Sequence, residues 1–112
     1  ESLAKNLRVC LVDDMRIFVR QYQRIVRRYF ADGSMVLGEN VEEIEMEVEN
    51  ILKRDFDAIV MDQNLDYEHR TFLGTGIIKQ LRAAGYRGAI LMRSADLSKE
   101  DMAFYLSAGA DG

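Results

Sequence analysis

Three short apolar runs in this 112-residue chain end on side chains that could do chemistry: Val12-Asp13-Asp14, Val60-Met61-Asp62-Gln63-Asn64 and Met92-Arg93-Ser94-Ala95. Carboxylates brought close together repel and raise one another's pKa unless a cation sits among them. A hard, oxygen-liking ion such as Mg²⁺ keeps several waters, so two or three carboxylates and a carbonyl suffice to hold it. Such a site can receive a phosphoryl group, with a carboxylate as nucleophile and the ion offsetting charge on the phosphoryl oxygens. The candidates are therefore Asp13, Asp14 and Asp62, with Ser94 beside them. Taken singly, each has a plainer reading. Adjacent Asp residues after a strand often serve as a helix N-cap and a favourable charge at the helix dipole. An Asp closing a strand is a common loop residue, and Ser94 alone reads as a turn hydroxyl. Their coincidence at three strand ends favours chemistry.

The elements that must position these residues are readable from hydrophobic pattern. Val9 to Val12, Met35 to Leu37, Ala58 to Met61 and Ala89 to Met92 are continuous apolar runs, as in strands buried on both faces of a parallel sheet. Between the first two, Phe18, Tyr22, Ile25 and Tyr29 form a stripe opposite Gln21 and Arg24, predicting a helix from Asp14 to Phe30 that packs the stripe on the sheet. Val41, Ile44, Val48, Ile51 and Leu52 predict a second helix over 41 to 54, with Asn40 and Glu43 as a capping pair and Glu42, Glu45, Glu47 and Glu49 outward. A third helix over 74 to 84 rests on Ile77, Ile78 and Leu81 and closes at Gly85. A fourth follows Ser98-Lys99-Glu100-Asp101, uses Met102, Tyr105 and Leu106, and ends at Gly109. Alternating βα units predict an α/β fold: a doubly wound parallel sheet with right-handed crossovers. With strand order 2-1-3-4, the first and third strands are central neighbours. Asp13, Asp14 and Asp62 then meet at the carboxyl ends of the strands, where ligands of such sheets bind.

Composition narrows the class. The apolar fraction is 48%, which supports one hydrophobic core and argues against disorder. Nineteen Asp and Glu against fifteen Lys and Arg give a net charge of -4, which argues against a DNA-binding surface as the main function. The longest apolar run, Met102 to Leu106, is far short of the roughly 20 residues that cross a bilayer, and Glu1-Ser2-Leu3-Ala4-Lys5 has no signal-peptide pattern, so a cytoplasmic protein without membrane contact is expected. The lone Cys10 reads as a small buried thiol in a reducing compartment. Arg16, Arg20, Arg24, Arg27 and Arg28 make the first helix basic, which reads first as a solvated face.

Leu11-Val12-Asp13-Asp14, Ile59-Val60-Met61-Asp62, the run from Gly74 to Arg82, Met92-Arg93-Ser94-Ala95 and Ala108-Gly109-Ala110-Asp111-Gly112 together resemble, in order and approximate spacing, the receiver domain of two-component response regulators. The resemblance covers nearly the whole chain and implies one flavodoxin-like receiver domain over 1 to 112, of strand order 2-1-3-4-5. It implies that Asp62 accepts a phosphoryl group from a phosphohistidine, catalysing only its own phosphorylation and dephosphorylation rather than acting as an enzyme on other substrates. Asp14 and Asp62 would bind Mg²⁺ directly, Asp13 mainly through water, and Asn64 through its backbone carbonyl. Ser94 would hydrogen-bond the acyl phosphate and move the loop after the fourth strand. The implied partner is a sensor histidine kinase or a histidine phosphotransfer domain, and the basic first helix is a docking candidate.

The chain also departs from that pattern. The family's Lys-Pro pair at the end of a fifth strand has no counterpart before Gly112, so the fifth βα unit is largely absent from the sequence. Lys53, Lys79 and Lys99 fall on predicted helices and are poor substitutes. Leu65 to Leu73 replaces the family's shorter Pro-containing turn, and these two losses account for much of the absence of Pro. Tyr67 and Phe72 in that loop could cover the site or meet a partner, and His69 reads as a surface residue rather than a metal ligand. Without a fifth strand, Ala89 to Met92 would be an apolar edge that recruits other strands. A longer chain, pairing across an oligomer through the strand-four edge, or a shortened receiver would each account for it; the first is preferred because Gly112 lies within a turn. Competing functions are a pseudo-receiver that binds partners without phosphotransfer, a haloacid-dehalogenase-like hydrolase and a flavodoxin. The hydrolase reading lacks the second acid of Asp-x-Asp at Asp62-Gln63-Asn64. Asp13 and Asp14 would repel a flavin phosphate.

Overall fold

In chain order the elements are a 3-10 turn (Leu3–Asn6), β1 (Val9–Val12), α1 (Arg16–Tyr29), β2 (Met35–Leu37), α2 (Val41–Glu45), α3 (Glu47–Leu52), β3 (Ala58–Asp62), β4 (Asn64–Asp66), β5 (Thr71–Leu73), α4 (Gly74–Ala83), β6 (Ala89–Arg93) and α5 (Lys99–Ala108). This computed structural model describes residues 3–94 and 98–112. The main sheet is parallel, in the order β2-β1-β3-β6, so the predicted 2-1-3-4 arrangement holds with β6 as its fourth strand. β1, apolar throughout, is buried at all four positions. Val12 stands opposite Leu37 and Met61, and Asp62 opposite Arg93, so the strands finish level at their carboxyl ends.

Alternation along each strand divides the core between the two faces of the sheet. On one face Cys10, Val12, Ile59, Met61 and Ile90 pack with Ile44, Ile51, Ile78, Leu81 and Tyr105 from α2 to α5. On the other, Val9 and Leu11 pack with Val26 of α1. The fold is doubly wound, with α1 covering the second face among the described residues. β6 reflects that asymmetry: Ile90 is buried, whereas Leu91 remains 44% exposed.

Several boundaries and faces differ from the sequence reading. On α1 the buried side chains are Val19 and Val26, with Tyr22 and Phe30 half-buried, while Ile25 and Tyr29 are exposed. The inward face is thus turned by one position from the predicted stripe, and Phe18 lies against the Arg93 guanidinium. The predicted second helix is two helices. Met46, at φ -98° and ψ 5°, breaks the run between α2 and α3. The turn rotates Glu47 inward until it is fully buried rather than outward, and leaves Leu52 exposed. Leu106 of α5 is also exposed, the inward position being taken by Tyr105 and Ala108.

The run after Asp62 is a β-hairpin, β4 and β5 pairing antiparallel with Leu65 opposite Phe72. Leu65 is fully buried and anchors it to the core. Nor is the β6 edge bare. Asp111 N–H donates to the Ile90 carbonyl (2.7 Å) and Met92 N–H to the Gly112 carbonyl (2.8 Å), so the residues after α5 lie along it. Arg82 holds this segment through the Gly109 carbonyl (2.9 Å) and the Asp111 carboxylate (3.0 Å).

Candidate functional site

Because β1, β3 and β6 end side by side, the residues that follow them share one cleft. Asp13 continues from β1, its N–H donating to the Leu37 carbonyl at 3.1 Å. Asp62 closes β3. One carboxylate oxygen from each of Asp13, Asp14 and Asp62 lies within 4.8 Å of the other two, an all-oxygen donor set that could hold a metal ion. That set fits a hard divalent cation. The cleft, of about 530 Å³, is lined by Asp14, Met15, Phe18, Asp62, Asn64, Asp66, Arg93 and Ser94. Asn64 and Ser94 thus line the same cleft as Asp14 and Asp62. The loop that Ser94 would move, beginning at Ala95, lies outside the described residues.

The two leading Asp residues do not serve as a simple helix cap. Asp13 is fully buried. Its Oδ1 accepts from Met15 N–H (2.9 Å) and its Oδ2 from Arg93 Nη1 (3.0 Å). Asp14 Oδ2 accepts from Asp66 N–H at 2.8 Å, which ties the hairpin to the acid cluster. Burial, then the charges of Asp13 and Asp14, push the Asp62 carboxyl up to about 6, against a weaker lowering by Arg93 and the Gln63 N–H. Burial likewise raises Asp13, opposed by its bond from Met15 and by Arg93. A half-buried carboxyl held above its ordinary range by burial and then by like charges is electrostatically ready for a cation.

Close backbone contacts fix the cleft walls. Gly38 has φ +115°, and a Cβ there would stand 2.3 Å from the Asp13 carbonyl oxygen. At Gly74 a Cβ would stand 2.3 Å from the Asp62 carbonyl oxygen and 2.7 Å from Met61 Cγ. The start of α4 is clamped by buried Gln63, whose Oε1 accepts from Thr75 N–H (2.9 Å) while Nε2 donates to Thr75 Oγ1 (3.2 Å). Tyr67 meets Phe72 edge-on and donates its hydroxyl to the Gly38 carbonyl at 2.6 Å, fastening the hairpin over the loop before α2. Ser94 Oγ accepts from the Tyr105 hydroxyl at 3.0 Å, a link from the cleft to α5.

The chain pattern does not mark Arg93, Gly38, Gly74 or Gln63 as site residues. The available signal for Arg93 was a charged residue closing an otherwise apolar strand. Lys53 pairs with Glu49 (3.4 Å) and Lys79 lies over the Phe104 ring; neither they nor Lys99 are among the residues lining the cleft. His69 is exposed and faces Glu68 at 3.7 Å. A wider depression at the opposite end of β6, near Gly88 and Ala89, has its Arg82 guanidinium already bonded to the Tyr86, Gly88 and Gly109 carbonyls and to Asp111.

No family model matches the chain, and no curated protein does. Solved structures match its fold. They include a LuxR-family two-component response regulator from Aurantimonas sp. SI85-9A1, 21% identical, covering 96% of this chain and 71% of that one at a TM-score of 0.74. The receiver domain of Francisella response regulator 1452 is also 21% identical, covering 95% and 80% at 0.71. The receiver domain of the histidine kinase CKI1 from Arabidopsis thaliana, complexed with Mg²⁺ and BeF₃⁻, is 21% identical, covering 93% and 76% at 0.69. The chain has the fold of response-regulator receiver domains.

Proposed function

We propose that residues 1–112 form a phosphoacceptor signalling domain of a two-component system, in which Asp62 takes a phosphoryl group from a phosphohistidine on a sensor kinase or phosphotransfer domain. The observation that carries this reading is the gathering of three carboxylates within 4.8 Å at the strand ends of a receiver fold. Asp14, Asp62 and the Asn64 carbonyl would hold Mg²⁺, with Asp13 acting through water. Bound there, Mg²⁺ would offset negative charge on the cluster and on the phosphoryl oxygens.

The chain's own groups then do the following. Asp62, ionised once a cation offsets its neighbours, attacks phosphorus with a carboxylate oxygen. The bond from phosphorus to the donor's imidazole nitrogen breaks, its electron pair staying on that nitrogen. Ser94 hydrogen-bonds the resulting acyl phosphate. The added charge of about -1.5 to -2 is the switch input, and its output is a population shift at a partner-binding face. Among the described residues no helix is long and apolar enough to cross a membrane. A cytoplasmic location follows from the proposed kinase partner.

Incubation with acetyl phosphate and Mg²⁺, read by intact mass, tests this. A gain of one phosphoryl group that vanishes in Asp62→Asn is expected. No gain, or a gain indifferent to that substitution, refutes the reading. The Arg93–Asp13 ion pair favours a second reading, a pseudo-receiver that binds partners without phosphotransfer, because the cluster then carries a resident cation. The same experiment separates the two.

A further inference from the structure

Arg93 closes β6 directly opposite Asp62 in the register and lines the cleft with Asp62 and Ser94. Its guanidinium lies 4.5 Å over the Phe18 ring and 5.9 Å from that of Tyr22, both on α1. Stacking on an aromatic face fixes the plane of a guanidinium and leaves its in-plane N–H donors available. Among the described residues, one of those donors is used, by Asp13 at 3.0 Å. A residue serving only to neutralise buried Asp13 would be enclosed with it. Instead the Arg93 side chain is 44% exposed, against 1% for Asp13. One end of the guanidinium is thus anchored on an acid and one face on an aromatic ring, while the rest opens into the cleft beside Asp62.

We propose that Arg93 is an oxyanion-binding residue of this cleft, donating hydrogen bonds to the non-bridging oxygens of a phosphoryl group on Asp62 while it remains anchored on Asp13. The proposal rests on the phosphoacceptor reading and deepens it. Four acids, Asp13, Asp14, Asp62 and Asp66, and one cation leave the cleft negative, and an incoming oxyanion adds to that charge. A guanidinium on the β6 side offsets it opposite the acids of β1, and its planar fork suits a tetrahedral oxyanion.

The test uses beryllofluoride, the phosphoryl mimic carried by the CKI1 receiver structure, titrated at saturating Mg²⁺ and followed by ¹⁹F NMR. Mg²⁺ affinity alone is measured in parallel by calorimetry. Arg93→Gln should weaken beryllofluoride binding about tenfold or more, the effect of losing a charged hydrogen bond. Mg²⁺ binding alone should be unchanged or tighter, because a competing cation next to Asp13 is gone. Arg93→Lys should recover part of the loss. A fall in beryllofluoride affinity without a fall in Mg²⁺ affinity is a signature that mere disruption of the cleft would not give. Unchanged or tighter beryllofluoride binding in Arg93→Gln overturns the proposal, as does a parallel fall in both affinities. Should Arg93→Gln fail to fold by circular dichroism, Arg93→Lys decides, with several-fold weakening expected and wild-type affinity contrary to the proposal. No binding by the wild type would instead remove the phosphoacceptor reading and the proposal with it.

Discussion

Glu47 is fully buried at the start of α3, and neither of its carboxylate oxygens has a hydrogen-bond partner among the described residues. Its surroundings are unfavourable to charge: Cys10 and Tyr67 lie within its electrostatic reach, and Glu43 adds a like charge. Burial first, then Glu43, raises its pKa from 4.5 to about 8. The native state therefore binds a proton that the unfolded chain releases near pH 4.5. Stability contributed by that proton is full below 4.5 and is lost as pH rises towards about 8. Each pH unit inside this window costs up to ~1.4 kcal/mol. Glu47→Gln keeps the shape and removes the titration. At pH 7 the variant should exceed the wild type by on the order of 2–3 kcal/mol, or roughly 10 °C in Tm, and the gap should close by about pH 4.5. Urea unfolding of both proteins at pH 5, 6, 7 and 8, followed by far-UV circular dichroism, measures it, since every other titrating group is common to the pair. A gap that does not vary with pH, or a variant less stable than the wild type at pH 7, would show that Glu47 is not held protonated by its burial.

Two further predictions concern the acid cluster and its frame. Gly38→Ala should destabilise the fold by about 2 kcal/mol or more, since a side chain at φ +115° is strained and the new Cβ would meet the Asp13 carbonyl; it should also weaken divalent-cation binding, and wild-type behaviour in both respects would contradict the close contact. Asp62, raised to about 6, contributes stability below its unfolded value of 3.8 that is lost as pH climbs to about 6, where the cluster's repulsion is fully expressed. Millimolar Mg²⁺ should therefore raise Tm more at pH 7.5 than at pH 5, because protons compete for the same oxygens. A shift equal at both pH values would rule out carboxylate coordination.

What the chain pattern reveals and what it hides divide along a physical line. The four parallel strands and the terminal glycines of two helices follow from local pattern, and the convergence of Asp13, Asp14 and Asp62 follows from the doubly wound strand order that alternating βα units imply. Asn40 indeed accepts from Glu43 N–H (3.1 Å), although the Glu43 carboxylate turns to the Gly38 and Glu39 amides instead. The face of α1, the inward turn of Glu47 and the hairpin after Asp62 depend on contacts between segments remote in sequence. Arg93 shows why such contacts matter at a charged site. Its partners Asp13 and Phe18 belong to the other end of the chain, and only the parallel register of β1, β3 and β6 brings them within 3.0 and 4.5 Å. A guanidinium there lowers the pKa of Asp13 and of Asp62 against the burial and neighbouring charges that raise both. The same charge competes with any cation for Asp13. Loss of this one side chain should therefore weaken oxyanion binding without weakening metal binding.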